Sequence, residues 1–162
     1  MSDLKSFRKI VEEEFEVGVR STLGLVKKVK ASDWDYRPAK NMRTLRELTE
    51  HLIAIPEVDL AIMKESPAEE VRELEAKYSQ LDTVDQFAEA MQSGVQAYIS
   101  YLDSLSDDEF LTKKTKPFYH DHASSQAKWM TETLTHLFHH RAQFFNYLKE
   151  LHYDISMFDL YV

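Results

Sequence analysis

Three histidines in this sequence have the residue type and the spacing that a metal site requires. His136 and His140 lie four residues apart, and His51 lies far from both along the chain. Two imidazoles at i and i+4 on one helical face are a common way to hold a divalent metal, and a third from another helix completes a set of three. Zinc with three protein ligands keeps a fourth position for water or substrate. Imidazole also suits nickel and iron, so the sequence predicts a divalent metal without selecting which one.

Helical geometry separates these three from the other histidines. At about 100° per residue, His140 falls inside the apolar arc of its helix and His136 falls on the edge of that arc, whereas His139 falls outside it. His51 also lies at the edge of an apolar stripe in its own segment. Two helices that pack along these faces would direct the three imidazoles to one point.

The same side chains also fit a purely structural role. A single His-x-x-x-His pair is a weak signal of metal binding. Each imidazole could instead bond to a carbonyl or a carboxylate, and Glu47 and Glu132, four residues before His51 and His136, are the predicted partners. They could equally orient the ligands of a metal. The inward position of His51 favours the metal site.

Composition and apolar periodicity predict an all-α protein. Apolar residues make up 43% of the chain and charged residues 30%, with only three glycines and four prolines, which favours long helices. Capping-box patterns start at Thr44 and Thr83. Ser66 as a cap, with Pro67 at the first helical position, predicts another helix start. Pro56 should kink the second helix. We expect one domain over residues 1–162, with long helices at about 4–30, 44–63, 83–102 and 125–151 and short extra helices after residues 66 and 106.

Residues 112–125 have turn chemistry and no clear helical period. A long polar and aromatic loop in a compact domain is often functional. We therefore consider Tyr119, His120 and His122 as candidates for proton transfer or substrate binding. The alternative is that they are ordinary exposed loop residues. Asp59, two turns beyond His51 on the inward face of the second helix, is the candidate general base.

The absence of cysteine and the negative net charge exclude some kinds of reaction and some classes of partner. The chain has no cysteine, so it has no thiolate ligand or thiol nucleophile of its own, and any thiol must arrive as a ligand. A net charge of −8 argues against nucleic-acid binding, which needs a basic surface. No signal peptide and no apolar run of roughly 20 residues is visible. We expect a cytoplasmic protein that binds neither nucleic acid nor membranes.

Two segments resemble motifs of the DinB-like family, the four-helix bundles that include damage-inducible DinB proteins. Residues 44–52, Thr-Leu-Arg-Glu-Leu-Thr-Glu-His-Leu, are similar to a helix-two motif that ends in the family's first metal histidine. Residues 136–143, His-Leu-Phe-His-His-Arg-Ala-Gln, resemble the signature H-x-x-H-H-R-G-Q, whose first and last histidines are ligands. The resemblance covers roughly residues 4–150, and Ala142 stands where glycine is usual.

By this resemblance, His51, His136 and His140 carry over as the metal ligands. The family implies a four-helix bundle with crossover connections, a metal centre at one end of the bundle that often holds zinc or nickel, and a homodimer. Its members include bacillithiol S-transferases and mycothiol-dependent maleylpyruvate isomerases, which use low-molecular-weight thiols.

Three functions follow as hypotheses. The first is a metal-dependent transferase that joins a small-molecule thiol to an electrophile, with Lys113, Lys114, Lys116 or Arg141 attracting an anionic thiol. The second is a metal-dependent hydrolase with Asp59 as its base. The third is a non-enzymatic stress or binding module that covers apolar side chains in a dimer. The side chains considered for that dimer surface are Phe138 and Phe145.

Overall fold

The architecture, seen in a computed structural model that describes residues 3–161, is built almost entirely from helices. A short 3-10 turn at Ala31–Asp33 lies between the first two helices. The all-α prediction is confirmed. The helices are α1 (Asp3–Val26), α2 (Leu45–Met63), α3 (Ala68–Tyr78), α4 (Val84–Asp103), α5 (Asp107–Thr112), α6 (Gln126–Glu150) and α7 (Phe158–Tyr161).

The four long helices pack in an order that differs from their order along the chain. Helix α1 packs against α4 and α6, and α2 packs against the same two helices. The consecutive long helices α1 and α2 therefore lie diagonally opposite each other. A diagonal pair needs a connection that crosses the end of the bundle, and residues 27–44 provide it. The predicted four-helix bundle with a crossover connection and short extra helices is confirmed.

Side-chain caps fix where α2 and α4 begin. The Thr44 hydroxyl accepts from the backbone N–H of Glu47, and the Glu47 carboxylate accepts from the backbone N–H of Thr44 at 2.7 Å. Thr83 forms the same box with Gln86. Such a box satisfies two N–H groups that would otherwise lack a partner. Helix α2 then continues without interruption through Pro56, and its fully buried apolar face includes Leu48, Leu52 and Ile55.

The predicted cap at Ser66 is wrong. Helix α3 starts at Ala68, and the residue before it, Pro67, has an extended backbone (φ −65°, ψ 155°) without any side-chain cap. Proline fixes φ but leaves ψ free, so Pro67 lies outside the helix as its cap residue and does not form the first helical position.

The stretch 112–125 is less irregular than its sequence indicates. Strands β1 (Lys114–Thr115) and β2 (Ser124–Ser125) form an antiparallel pair that closes this segment into a loop. The Thr115 hydroxyl accepts from Trp129 Nε1 and Gln126 Nε2, both at 3.0 Å. Two-residue strands are too short to give a visible alternation of polar and apolar residues, and the loop is attached to the start of α6 through buried hydrogen bonds.

Helix α6 is packed on several sides. Phe138 and Phe145 are both half-buried, and Phe145 packs against the core, so neither is the exposed apolar side chain that the dimer hypothesis requires. The Arg141 guanidinium lies 4.1 Å from the centre of the Phe138 ring. Ala142 is exposed, so its departure from the family's glycine does not crowd the helix.

Within residues 3–161, no helix combines the length and the apolar composition that crossing a bilayer requires.

Candidate metal centre

Two packed helices bring the three histidines together. Helix α2 carries His51 beside the buried Leu52, and α6 carries His136 and His140 on either side of the buried Leu137. Because α2 and α6 pack directly against each other, the two histidine-bearing faces meet. The positions of the three imidazoles are therefore set by the core residues next to them.

The distances within this histidine cluster are short. The Nε2 atoms of His51 and His136 lie 3.3 Å apart. The ring centre of His51 is 5.3 Å from that of His136 and 4.4 Å from that of His140, and the last two rings are 4.9 Å apart. Each residue offers one nitrogen within 4.8 Å of the others, so among residues 3–161 these three form a group that could hold a metal ion.

Hydrogen bonds at Nδ1 orient two of the rings. His136 Nδ1 donates to the Asp59 carboxylate at 3.1 Å, and His140 Nδ1 donates to Gln143 Oε1 at 2.7 Å. A neutral imidazole that donates from Nδ1 keeps its lone pair at Nε2. Carbonyl or carboxylate partners of this kind fix the tautomer and the orientation of metal-binding histidines.

Burial keeps two of the imidazoles neutral. It lowers the pKa of His51 to about 3, and the positive charge of Arg43 and the neighbouring imidazoles contribute in the same direction. Burial also lowers the pKa of His140 to about 4, against the opposing effect of its bond to Gln143. Neutral imidazoles are the form that binds a metal, so these two are available as ligands at neutral pH.

The geometry and the donor set fit a divalent metal. Two nitrogens bound to one zinc ion at about 2.0–2.1 Å in a tetrahedral arrangement lie about 3.3 Å apart, which matches the distance between His51 and His136. Three imidazoles suit zinc, nickel or iron. They leave at least one coordination position without a protein ligand, as in catalytic sites.

Two of the larger cavities lie near the histidine cluster, one lined by Gln143, the partner of His140, and one lined by His136 itself. The first, of about 660 Å³, lies beside Gln143 and the start of α2, and its wall carries the basic side chains of Arg37, Lys40 and Arg43. The second, of about 500 Å³, has an aromatic and acidic wall. Its lining comprises Asp59, Ile62, Tyr119, Trp129, Glu132, Thr135, His136 and His139.

Of the candidate residues in the loop between β1 and β2, one lies near the histidine cluster and two lie on the surface. Tyr119 lines the second cavity, where burial and the charges of Glu132 and Asp59 raise its pKa. His120 and His122 are exposed, and their ring centres lie 4.6 Å apart. Neither belongs to the described residues that line the two cavities. The structure therefore places Tyr119, and not the two loop histidines, near the histidine cluster.

The predicted partners of the histidines are wrong. The Glu47 carboxylate accepts hydrogen bonds from the Thr44 backbone and, at 3.1 Å, from Arg37. The Glu132 carboxylate accepts from Lys128 at 3.2 Å. The actual partner of His136 is Asp59. It was predicted as a general base, and its place on the inward face of α2 was the signal for this contact.

Gln143 and Arg43 were missed altogether as site residues. Gln143 follows His140 by one helical turn, and this i, i+3 spacing was the available signal. Of the basic residues predicted to attract an anionic thiol, Arg141 is buried. It donates to the Ser21 hydroxyl and the Leu160 carbonyl, so its role is structural. Within residues 3–161, Lys113, Lys114 and Lys116 line neither of the two cavities.

Comparison with known proteins agrees with this fold. A solved structure of a protein assigned to the DinB family, from Exiguobacterium sibiricum 255-15, is 28% identical, with a TM-score of 0.79 over 96% of this chain and 97% of that chain. DinB-like proteins from Bacillus subtilis and Bacillus cereus ATCC 10987 are each 14% identical and share the fold. Their TM-scores are 0.66 and 0.68, over 94% and 90% of this chain and 99% and 93% of theirs.

No curated protein matches the sequence. The family model of the DinB superfamily matches residues 14–144, which is most of the chain. This protein belongs to the DinB superfamily.

Proposed function

We propose that His51, His136 and His140 hold a divalent metal, and that the protein transfers a low-molecular-weight thiol to an electrophilic substrate. One observation carries the metal part of the proposal: three imidazoles converge, and Asp59 and Gln143 accept from Nδ1 of two of them, which leaves the Nε2 lone pair of each for a metal. Zinc, nickel and iron all suit this donor set.

The composition supports a thiol as the ligand. A divalent metal with an open position favours a thiolate over a thiol at neutral pH. The chain contains no cysteine, so no thiol of its own competes for the site. The thiol-dependent relatives that the sequence motifs imply also favour this chemistry.

The two cavities suit two different substrates. The first is lined by basic groups and fits an anionic thiol, and the second, whose wall is aromatic and acidic, fits an electrophile that carries no negative charge. In the transfer, the thiol proton goes to solvent and the sulfur forms a bond to the electrophilic carbon. The bond from that carbon to its leaving group breaks, and the leaving group keeps the electron pair.

Tyr119 is placed to assist the departure of the leaving group. Burial and the nearby negative charges raise its pKa, so the phenol keeps its proton at neutral pH. Its O–H can therefore donate to the halide or alkoxide that leaves the substrate. Tyr119 is half exposed, at 50%, which leaves it accessible to a substrate that enters the second cavity.

Hydrolysis is less well supported. It needs a free general base beside an activated water, and Asp59, the candidate for that role, is already bonded to His136 at 3.1 Å.

The test is a thiol-transfer assay on the metal-loaded full-length protein, with a halogenated or epoxide electrophile and a panel of small thiols. We expect turnover that needs both metal and thiol, that is lost in His140→Ala, and that persists in His122→Ala, the control at an exposed position. Equal turnover in His140→Ala and wild type would overturn the proposal. Ester hydrolysis without any thiol would instead favour the hydrolase.

A further inference from the structure

Helix α2 is terminated by a residue type that is uncommon at such a position. The N–H of Ser66 donates to the Ala61 carbonyl at 3.0 Å, and the N–H of Glu65 donates to the Ile62 carbonyl at 2.9 Å. These two bonds form a Schellman motif, in which the backbone of Glu65 has a φ of 65°. Glycine adopts this left-handed region without steric cost, whereas a residue with a Cβ does not. The side chain of Glu65 is therefore carried at a conformational cost.

The end of α6 has the same motif and provides a matched case. His152 occupies the position of Glu65, with a φ of 61°, and the next N–H, that of Tyr153, donates to the Leu148 carbonyl at 3.0 Å. Within residues 3–161, Glu65 and His152 are the two residues with a positive φ. Their side chains differ. The Glu65 carboxylate binds another element, whereas the His152 ring makes no hydrogen bond within the described part of the chain.

The partner of Glu65 is the loop between β1 and β2. Its Oε1 accepts from the backbone N–H of Lys116 at 2.8 Å, and the residue that follows, Pro117, is buried. Among the hydrogen bonds of residues 3–161, this one alone joins residues 116–123 to another element. The bonds of His120 and His122 stay inside the loop. Beyond its strand pair, the loop is thus tied to the helices through Glu65.

The tied segment carries Tyr119 to the second cavity. Tyr119 lies three residues beyond Lys116 and lines that cavity together with Asp59 and Ile62 of α2. Glu65 follows Ile62 by three residues, so the cavity wall and the contact with the loop belong to the same end of α2. A loop without this contact would hold the Tyr119 phenol in more orientations, and few of them would face a bound substrate.

We propose that Glu65 is a positioning residue, whose carboxylate fixes the loop so that the Tyr119 phenol is held at the second cavity. The effect on the reaction rests on the proposed function, whereas the anchoring of the loop does not. A carboxylate that accepts from a backbone N–H makes a charge-assisted bond, which is stronger than a neutral one. Strained backbone conformations persist where the surrounding structure holds them, and they cluster at functional sites.

The first test is hydrogen exchange at the Lys116 amide, followed by NMR in the full-length protein without metal or substrate. Glu65→Gly removes the acceptor, and exchange should become about three- to tenfold faster, the range of one hydrogen bond. Glu65→Gln keeps an acceptor oxygen at the same reach and should exchange as slowly as the wild type. His152→Gly makes the same backbone change at the end of α6 and should leave the loop unchanged. Urea unfolding shows whether each variant is folded.

The second test is the thiol-transfer assay on the metal-loaded protein. Glu65→Gly should lower kcat about three- to tenfold, with metal content and the KM for the thiol as in wild type, and Glu65→Gln should have normal kcat. If Glu65 acts through Tyr119, the two losses do not add. The double variant Glu65→Gly/Tyr119→Phe should then have the kcat of Tyr119→Phe alone.

Each part of the proposal has a result that would overturn it. Equal Lys116 exchange in wild type and Glu65→Gly, or equally fast exchange in Glu65→Gln and Glu65→Gly, would show that the carboxylate does not anchor the loop. A normal kcat in Glu65→Gly, or losses that multiply in the double variant, would show that the anchor does not position Tyr119. Fast exchange in Glu65→Gly, with no turnover by any of the proteins, would sink the proposed function and leave the anchor standing.

Discussion

Two groups of histidines in this chain have similar ring spacing and different surroundings. In the loop between β1 and β2, the rings of His120 and His122 lie 4.6 Å apart. Between α2 and α6, the closest pair of rings, those of His51 and His140, lie 4.4 Å apart. The loop pair is exposed, and the side-chain hydrogen bond that it makes within residues 3–161 joins His122 Nδ1 to the exposed Asp121 at 3.4 Å. In the helical group His140 is buried, and His51 and His136 are partly buried.

The difference lies in what fixes each ring. An exposed side chain on a loop gives up rotamer freedom when it binds, and water competes for its hydrogen bonds. On α2 and α6 the packed core has already fixed the backbone, and Asp59 and Gln143 hold two rings through Nδ1. Close spacing alone therefore does not make a metal site. A rigid frame, a defined tautomer and burial distinguish the helical group.

The largest effect we expect from breaking this frame is at Asp59. Asp59→Ala removes the acceptor of His136 Nδ1 and should weaken zinc affinity about 10–100-fold, because the ring loses its fixed orientation. Competition with a chromogenic chelator measures the affinity. Asp121→Ala, which removes the partner of His122 in the loop, is the matched control and should leave the affinity as in wild type. An unchanged affinity in Asp59→Ala would show that the hydrogen bond does not orient a ligand.

The burial of the helical histidines predicts a pH dependence of stability. The pKa of His51 is about 3 in the folded protein, because of burial and the charge of Arg43, and about 6.5 in an unfolded chain. Above pH 6.5 both states are neutral and the stability is fully present. Below that pH the unfolded chain gains protons that the folded one does not, so metal-free protein should lose stability down to about pH 3.

The protonation of His51 changes the free energy of unfolding by at most about 1.4 kcal/mol per pH unit. Urea unfolding between pH 7 and pH 4 measures it as the difference between wild type and His51→Gln. The exposed-loop variant His120→Gln should follow the wild-type slope. If His51→Gln and wild type have parallel curves, burial does not set the protonation state of this group.

A smaller effect is expected from the one loop residue that reaches the site. Tyr119→Phe removes the hydroxyl in the second cavity and should lower kcat of thiol transfer about tenfold, the equivalent of one hydrogen bond. Metal content and the KM for the thiol should not change, since Tyr119 lines the second cavity and not the first, which we assign to the thiol. His120→Ala, the adjacent position, should have normal kcat. A loss of metal in Tyr119→Phe would mean that the loop supports the site and does not act on the substrate.

The smallest expected effect concerns the packing behind α6. A Cβ at Gly18 would come within 2.8 Å of the Leu137 side chain and 2.9 Å of Phe138, whereas a Cβ at Gly24 would have nothing within 4 Å. Gly18→Ala should therefore lower the free energy of unfolding by about 1 kcal/mol, because an overpacking cost of about 2 kcal/mol exceeds the gain in helix propensity. Gly24→Ala should raise it by about 0.5–1 kcal/mol through helix propensity. Chemical denaturation measures both, and effects of the same sign would contradict the close approach of α1 to α6.

Local signals explain why much of this could be predicted from sequence. The caps at Thr44 and Thr83 are set by residues three positions apart, so they define where α2 and α4 begin without knowledge of the fold. The apolar periodicity of the long helices likewise places His140 inward and His139 outward, and in the structure the first is buried and the second exposed.

The parts that could not be predicted depend on contacts between elements. Whether His136 bonds to Glu132 or to Asp59 depends on the rotation of α2 against α6, which no local pattern records. The cavity beside Arg43 forms only when the crossover segment lies over the start of α2 and the side of α6. The pairing of Thr115 with Ser124 depends on two strands too short to carry a period.

The binding of one metal ion by His51, His136 and His140 is the property on which the proposed function depends. The most direct test is the metal content of untagged wild-type protein after exposure to zinc or nickel and removal of the excess, beside His140→Ala and His122→Ala. We expect one equivalent per chain in wild type and in His122→Ala, and none in His140→Ala. Absence of metal from all three, or equal metal in all three, would contradict this binding and leave the histidine cluster as a structural feature of the α2–α6 interface.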